Sequence, residues 1–170
     1  MGITLANSFP LGLCSTKTKL QEASNAFEDG ATDVDCVMNI AKIKDHDWKY
    51  IEYEMKAIVD LSKQEKKVSK IIFENCYLTK EEIAEMCRIS NATGPDFIKT
   101  ATGTQGPALV EDVKLMRRIA DPAIQIKAAG GVHNLEKVKI FLEAGAERLG
   151  TTTATDIMVE YFAEQGIKEY

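Results

Sequence analysis

Two lysines stand where lysine is costly. Lys99 lies within Asp96-Phe-Ile-Lys-Thr-Ala-Thr-Gly103, and Lys127 within Ala123-Ile-Gln-Ile-Lys-Ala-Ala-Gly-Gly131. An ammonium in a buried apolar strand loses its hydration, so it must find a partner or release its proton. A neutral amine at physiological pH attacks carbonyl carbon, and loss of water from the adduct gives a Schiff base. Carboxylates occur in two further apolar runs: Asp35 in Thr32-Asp-Val-Asp-Cys-Val-Met-Asn39, and Glu74 at the end of Lys70-Ile-Ile-Phe-Glu74. A carboxylate beside two lysines can hold one as the cation while the other is neutral. A single buried lysine is explained well enough by a structural ion pair. Two lysines and two carboxylates at successive strand ends favour chemistry.

Glycines follow both lysines. Gly103 closes the first segment, Gly130 and Gly131 close the second, and Gly150 precedes Thr151-Thr-Thr153. Backbone N–H groups at such turns, and at the helix starts behind them, can cradle an anion. The ordinary reading of each glycine is a turn; three such turns at neighbouring strand ends suggest a phosphate site. His133 sits beside this stretch, where a lone surface histidine is most simply incidental. His46, between Asp45 and Asp47, reads as solvent-facing.

The elements that must position these residues are visible as alternating short apolar and longer amphipathic runs. Candidate strands are Ile3–Asn7, Val34–Ile40, Ser69–Asn75, Phe97–Thr100, Ile124–Ala128 and Arg148–Thr151. They are rich in Ile and Val and several do not alternate, as expected of parallel strands covered on both faces. Within the second, a period of two puts Asp35, Val37 and Asn39 on one face, with Asp33 near the mouth or on the other face. Helices are expected over Thr16–Glu28 (Leu20, Ala23 and Phe27 inward), Asp47–Lys63 (Trp48, Ile51, Met55, Ile58, Leu61) and from Thr79, which with Glu82 forms a capping box, to Asn91. Further helices follow over Leu109–Ala120 (Leu109, Val113, Met116), after the cap Asn134 (Leu135, Val138, Leu142) and over Thr155–Gln165 (Ile157, Val159, Phe162). Six βα units in a row give an α/β fold, either an open doubly wound sheet or a barrel. In both, chemistry gathers at the C-terminal ends of the strands.

Bulk composition is compatible with one globular domain over 1–170. The chain has 170 residues, 45% apolar and 28% charged, with a net charge of −5. The acidic balance argues against a nucleic-acid partner, and no apolar run approaches the ~20 residues of a membrane helix. Cys14, Cys36, Cys76 and Cys87 show no metal-ligand spacing, and as free thiols they fit a cytoplasmic setting.

These stretches resemble the deoxyribose-phosphate aldolase family. The resemblance runs in order through Asn7-Ser-Phe-Pro-Leu-Gly12, Asp33-Val-Asp35, Ile71-Ile-Phe-Glu74, Cys76-Tyr-Leu-Thr79, Asp96 to Gly103, Val110-Glu-Asp-Val-Lys-Leu-Met116, Ile126 to Gly131 and Arg148-Leu-Gly150. It implies a class I (Schiff-base) aldolase acting on a small phosphorylated sugar or aldehyde. That family cleaves 2-deoxyribose 5-phosphate to acetaldehyde and glyceraldehyde 3-phosphate with no metal or other cofactor, the iminium being the electron sink. Lys99 matches the Schiff-base lysine, and Lys127 the cation that helps keep it neutral. Asp35 matches the acid–base aspartate; Glu74 and Asn39, read from their places at the ends of apolar runs, are candidates for support. Gly103, Gly130, Gly131, Gly150, Thr152 and Thr153 match the phosphate-binding positions. The family is a full (β/α)8 barrel, and this chain begins at what corresponds to its third strand. The resemblance therefore implies an incomplete TIM barrel lacking the first two βα units, with activity weakened, and a homo-oligomer, most simply a dimer, covering the exposed sheet edges. The alternative is a non-catalytic sugar-phosphate binder or oligomeric scaffold. Ala101 and His133 stand where the family commonly has serine and arginine, and threonines replace the serines after Gly150. Tyr170 receives no role.

Overall fold

The computed structural model describes residues 2–167; Tyr170 lies outside them. Six strands, β1 (Thr4–Asn7), β2 (Asp33–Val37), β3 (Val68–Ile72), β4 (Phe97–Lys99), β5 (Gln125–Ala129) and β6 (Arg148–Gly150), form one sheet in chain order. Every neighbouring pair is parallel. Helices cross between them: α1 (Thr16–Glu28), α2 (Ile40–Lys44), α3 (Trp48–Gln64), α4 (Lys80–Thr93), α5 (Val110–Ile119), α6 (Leu135–Glu143) and, after β6, α7 (Ala154–Glu164).

The sheet is curled. Strands lie about 4.8 Å apart, so four steps across a flat sheet would separate β2 from β6 by roughly 19 Å. Yet Arg148 on β6 donates to Asp33 on β2 at 3.1 Å, and Lys127 on β5 reaches Asp35 on β2 at 2.7 Å. The strands therefore wrap into a half-barrel. Among the described residues β1 and β6 each pair on one side only, so the barrel is open between them.

Strand alternation assigns each side chain to the outer helical layer or to the barrel interior. Val34, Cys36, Ile71, Phe73, Ile98, Ile126 and Ala128 point outward and join the main hydrophobic core with Phe27, Ile51, Met55, Ile58, Met86, Val113 and Met116. The intervening positions carry Asp33, Asp35, Lys70, Phe97, Lys99, Lys127 and Arg148. The main apolar layer is thus built outside the sheet, while the interior mixes these charged residues with the buried apolar side chains Val37, Ile72 and Phe97.

The helix pattern corrects several expectations. On α1 the buried set is Thr16, Lys19, Ala23 and Phe27; Leu20 packs against the core as expected but is only partly buried, and Lys19 is inward as well. Its ammonium lies 2.8 Å from Glu54 of α3, and both side chains are fully buried. The Thr79–Glu82 capping box is present, and α4 runs two residues past Asn91 before Gly94 ends it in the left-handed region. Leu109 caps α5 and is half exposed rather than packed. Phe141, not Leu142, is the inward residue late in α6, and Val159 of α7 is exposed. Asn39 does not extend β2. It caps the short α2, accepting from the Lys42 N–H at 3.2 Å.

Candidate active site

The register brings the charged interior residues side by side. Asp35 pairs with Lys70 across β2–β3, and Lys99 with Lys127 across β4–β5. Asp35 Oδ2 accepts from Lys99 Nζ at 2.8 Å and from Lys127 Nζ at 2.7 Å. Its Oδ1 lies 2.9 Å from Lys70 Nζ, too far out of line to count as a hydrogen bond. Lys70 instead donates to Asp33 Oδ2 at 2.7 Å, the oxygen that Arg148 also reaches. Asp33 therefore shares the interior face with Asp35, one pleat deeper, and is not at the mouth.

Three ammoniums face two carboxylates in this buried cluster. Burial disfavours the Asp35 carboxylate, but Lys99 and Lys127 outweigh it and hold Asp35 well below the usual carboxylate range. Burial likewise works against Asp33, and the hydrogen bond and charge of Lys70 win, lowering it. Lys127 moves below the ordinary lysine value: burial is the largest cause, the charge of Lys99 is next, and the pull of Asp35 opposes both. Interacting groups share their protons, and releasing one from the lysines relieves the excess positive charge.

Above the cluster opens a cavity of about 410 Å³ lined by Lys99, Thr102, Gly103, Thr104, Lys127, Ala129, Gly130, Gly131, Val132, His133, Gly150, Thr151 and Thr152. Both lysines and all four expected glycines therefore border one space. Gly130 has φ +104°, and a Cβ there would stand 2.8 Å from the Gly106 carbonyl oxygen, so the wall is closed by backbone on backbone. The turns after β5 and β6 are clamped by hydroxyls: Thr151 donates to the Val132 carbonyl at 2.6 Å and Thr153 to the His133 carbonyl at 3.1 Å. Thr152 borders the cavity as expected. Thr153 does not; its hydroxyl serves the clamp. His133 stands on the rim rather than apart from the site.

Asp35 lies beneath the cavity, holding its two lysines. Glu74 is fully buried in the connection after β3 and accepts from the Thr102 N–H at 2.8 Å. Asn39 does not border this cavity. Burial raises Cys36 and pushes Cys87 up to about 12, and burial with Glu74 beside it raises Cys76 to about 11. His46, mostly exposed as expected, stacks on Trp48 with centroids 5.2 Å apart and contacts Glu82. Lys70, Thr102 and Thr104 were not singled out by the sequence. Lys70 has the same signature as the other two lysines, a cation inside an apolar run, but it follows Lys66 and Lys67 and so reads as the edge of a surface cluster.

A parallel, curled βα sheet carrying a lysine pair on one carboxylate, under a cavity at the C-terminal ends of its strands, defines an aldolase-type half-barrel. Residues 8–157 match the family described as DeoC/LacD family aldolase, and the chain belongs to that family. It is 42% identical over 151 residues to a deoxyribose-phosphate aldolase of Thermococcus kodakarensis, covering 88% of this chain and 67% of that protein. It superposes on the structure of QR15, an aldolase, with TM-score 0.92 and 35% identity, covering 99% of this chain and 76% of that one. The tetrameric deoxyribose phosphate aldolase of Aeropyrum pernix superposes with TM-score 0.87 and 26% identity, covering 96% and 69%. The chain thus spans about two thirds of the length of these relatives.

Proposed function

We propose that the chain is a Schiff-base aldolase that cleaves 2-deoxyribose 5-phosphate to acetaldehyde and glyceraldehyde 3-phosphate. The observation that carries this reading is Asp35 Oδ2, shared by Lys99 and Lys127 at the foot of a cavity walled by glycines and threonines. The Lys99 amine, once unprotonated, attacks the C1 aldehyde of the open-chain sugar, and loss of water leaves an iminium. The C2–C3 bond then breaks: its electrons flow into the iminium, the C3 hydroxyl gives its proton to a base, and glyceraldehyde 3-phosphate departs. The remaining enamine takes a proton at C2, and water releases acetaldehyde and restores the amine. Asp35, which accepts from both Lys99 and Lys127, passes these protons with Lys127. The phosphate end lies against Gly103, Gly130, Gly131, Gly150 and Thr152. Thr153 supports that wall through His133.

The reading takes the six βα units of the described residues as one barrel unit. Its open edges at β1 and β6 favour association, and a homodimer is the simplest arrangement that covers them. Four free cysteines and a phosphorylated substrate suit the cytoplasm. Light scattering that shows a stable monomer at micromolar concentration refutes the dimer. Turnover is tested by following acetaldehyde release from 2-deoxyribose 5-phosphate, with Lys99→Ala as the blank. Phosphate binding without turnover would favour a sugar-phosphate binder instead, a reading supported by the open side of the barrel.

A further inference from the structure

The cavity wall formed by Thr102, Gly103 and Thr104 belongs to the long connection between β4 and α5, and that connection is pinned from the turn that follows β3. Glu74 sits in this turn with φ 59°, a left-handed conformation that is strained for a glutamate. It is fully buried, and among the described residues no lysine or arginine pairs with it. Its Oε2 accepts from the Thr102 N–H at 2.8 Å, and its Oε1 faces the Cys76 thiol at 3.6 Å. Two further pins come from the same turn. Tyr77 donates its hydroxyl to Gln105 Oε1 at 2.9 Å. Gly106 packs on Cys76 so closely that a Cβ at 106 would come within 2.8 Å of the Cys76 Cβ. A buried carboxylate without a cation is expensive, and a strained backbone adds to that cost. The shorter of the two contacts, 2.8 Å against 3.6 Å, goes to a residue that lines the cavity.

We infer that Glu74 is a positioning residue that acts through Thr102, holding the 102–104 wall at the height that receives the phosphate end of the substrate. The inference rests on the aldolase reading for its substrate. Glu74 touches neither Lys99 nor Asp35 by any hydrogen bond in the structure, so its effect falls on binding and not on the amine.

The test compares Glu74→Asp, which retracts the carboxylate by one methylene, with Glu74→Gln, which keeps its reach. For Glu74→Asp the expected result is a rise of about tenfold in KM for 2-deoxyribose 5-phosphate and in Kd for inorganic phosphate, because a wall displaced by about an ångström loses its fit. In the same variant kcat and borohydride trapping of acetaldehyde at Lys99 should stay within about twofold, and Glu74→Gln should remain within about threefold of the parent in all four. Tyr77→Phe, which removes one of the other pins, should raise KM less than Glu74→Asp does. Unchanged phosphate affinity in Glu74→Asp, or an equal fall in trapping and kcat, overturns the inference. If Glu74→Asp does not fold, exchange of the Thr102 amide decides: slow exchange in both the parent and Glu74→Gln supports the pin, and fast exchange in the parent refutes it. A parent that forms no Lys99 adduct refutes the aldolase reading alone, since the phosphate comparison still reports on Glu74.

Discussion

Replacing Asp35 with asparagine keeps the shape of the side chain and removes the charge on which three lysines converge. Lys99, Lys127 and Lys70 lie 2.8, 2.7 and 2.9 Å from its oxygens. At such separations each attraction is roughly 6 kcal/mol at an effective dielectric of about 20. Most of that is offset by desolvation, and breaking a buried pair costs about 3–5 kcal/mol net. For a chain of this size that corresponds to a melting temperature lower by roughly 6–20 °C near neutral pH. The pH dependence gives the sharper sign. Without Asp35 the lysines shed a proton more readily, while the unfolded chain keeps its lysines charged up to about pH 10. The variant therefore binds fewer protons folded than unfolded, and its stability rises with pH by about 1.4 kcal/mol per unit for each proton released. Over the range in which the parent still holds that proton, the gap between the two proteins narrows as pH rises. Denaturant unfolding of both proteins from about pH 6 to about pH 10 measures it. An asparagine variant as stable as the parent near neutral pH, or a gap that does not change with pH, refutes the picture of one carboxylate restraining three cations.

Other outcomes follow from the same structure. Asp33 and Asp35 are both lowered in the fold, so their stabilisation is fully present above the ordinary carboxylate value of 3.8 and is lost as pH falls through the lowered values; melting temperatures should hold down to that value and drop below it. Gly12 has φ +68°, and a Cβ there would lie 2.2 Å from the Met38 carbonyl oxygen; Gly12→Ala should cost about 2–4 kcal/mol by denaturant melt, far more than an exposed glycine substitution. Lys19→Met leaves Glu54 buried without its 2.8 Å partner; it should cost about 3–5 kcal/mol, much of it recovered in the double variant Lys19→Met/Glu54→Leu.

The strand–helix alternation was legible because the outer face of each strand is apolar and the helices carry period-3.6 stripes. The open half-barrel was legible only through the family resemblance, since periodicity alone allows a flat doubly wound sheet equally well. Lys99 and Lys127 declared themselves because each is alone in an apolar segment. Lys70 did not, because the evidence for it is the register that sets it against Asp35, and register between parallel strands is fixed by packing that the one-dimensional pattern does not carry. Asp33 was misplaced for the same reason: its partner Arg148 lies 115 residues away. Lys19 was not singled out by the sequence, and only the three-dimensional neighbourhood reveals Glu54 and the Val37 carbonyl, which accepts from its ammonium at 2.7 Å. Thr153 and Asn39 show the opposite error. Their residue types suit a site, but local backbone demands, a clamp and a helix cap, use them first.

The central claim is that Lys99 forms a covalent iminium in the cavity above Asp35. Incubating the protein with acetaldehyde, reducing with borohydride and mapping the modified peptide tests it directly. The account predicts a single ethyl group on Lys99, absent in Lys99→Ala. An intact chain with no adduct, or one modified at surface lysines with Lys99 untouched, contradicts it.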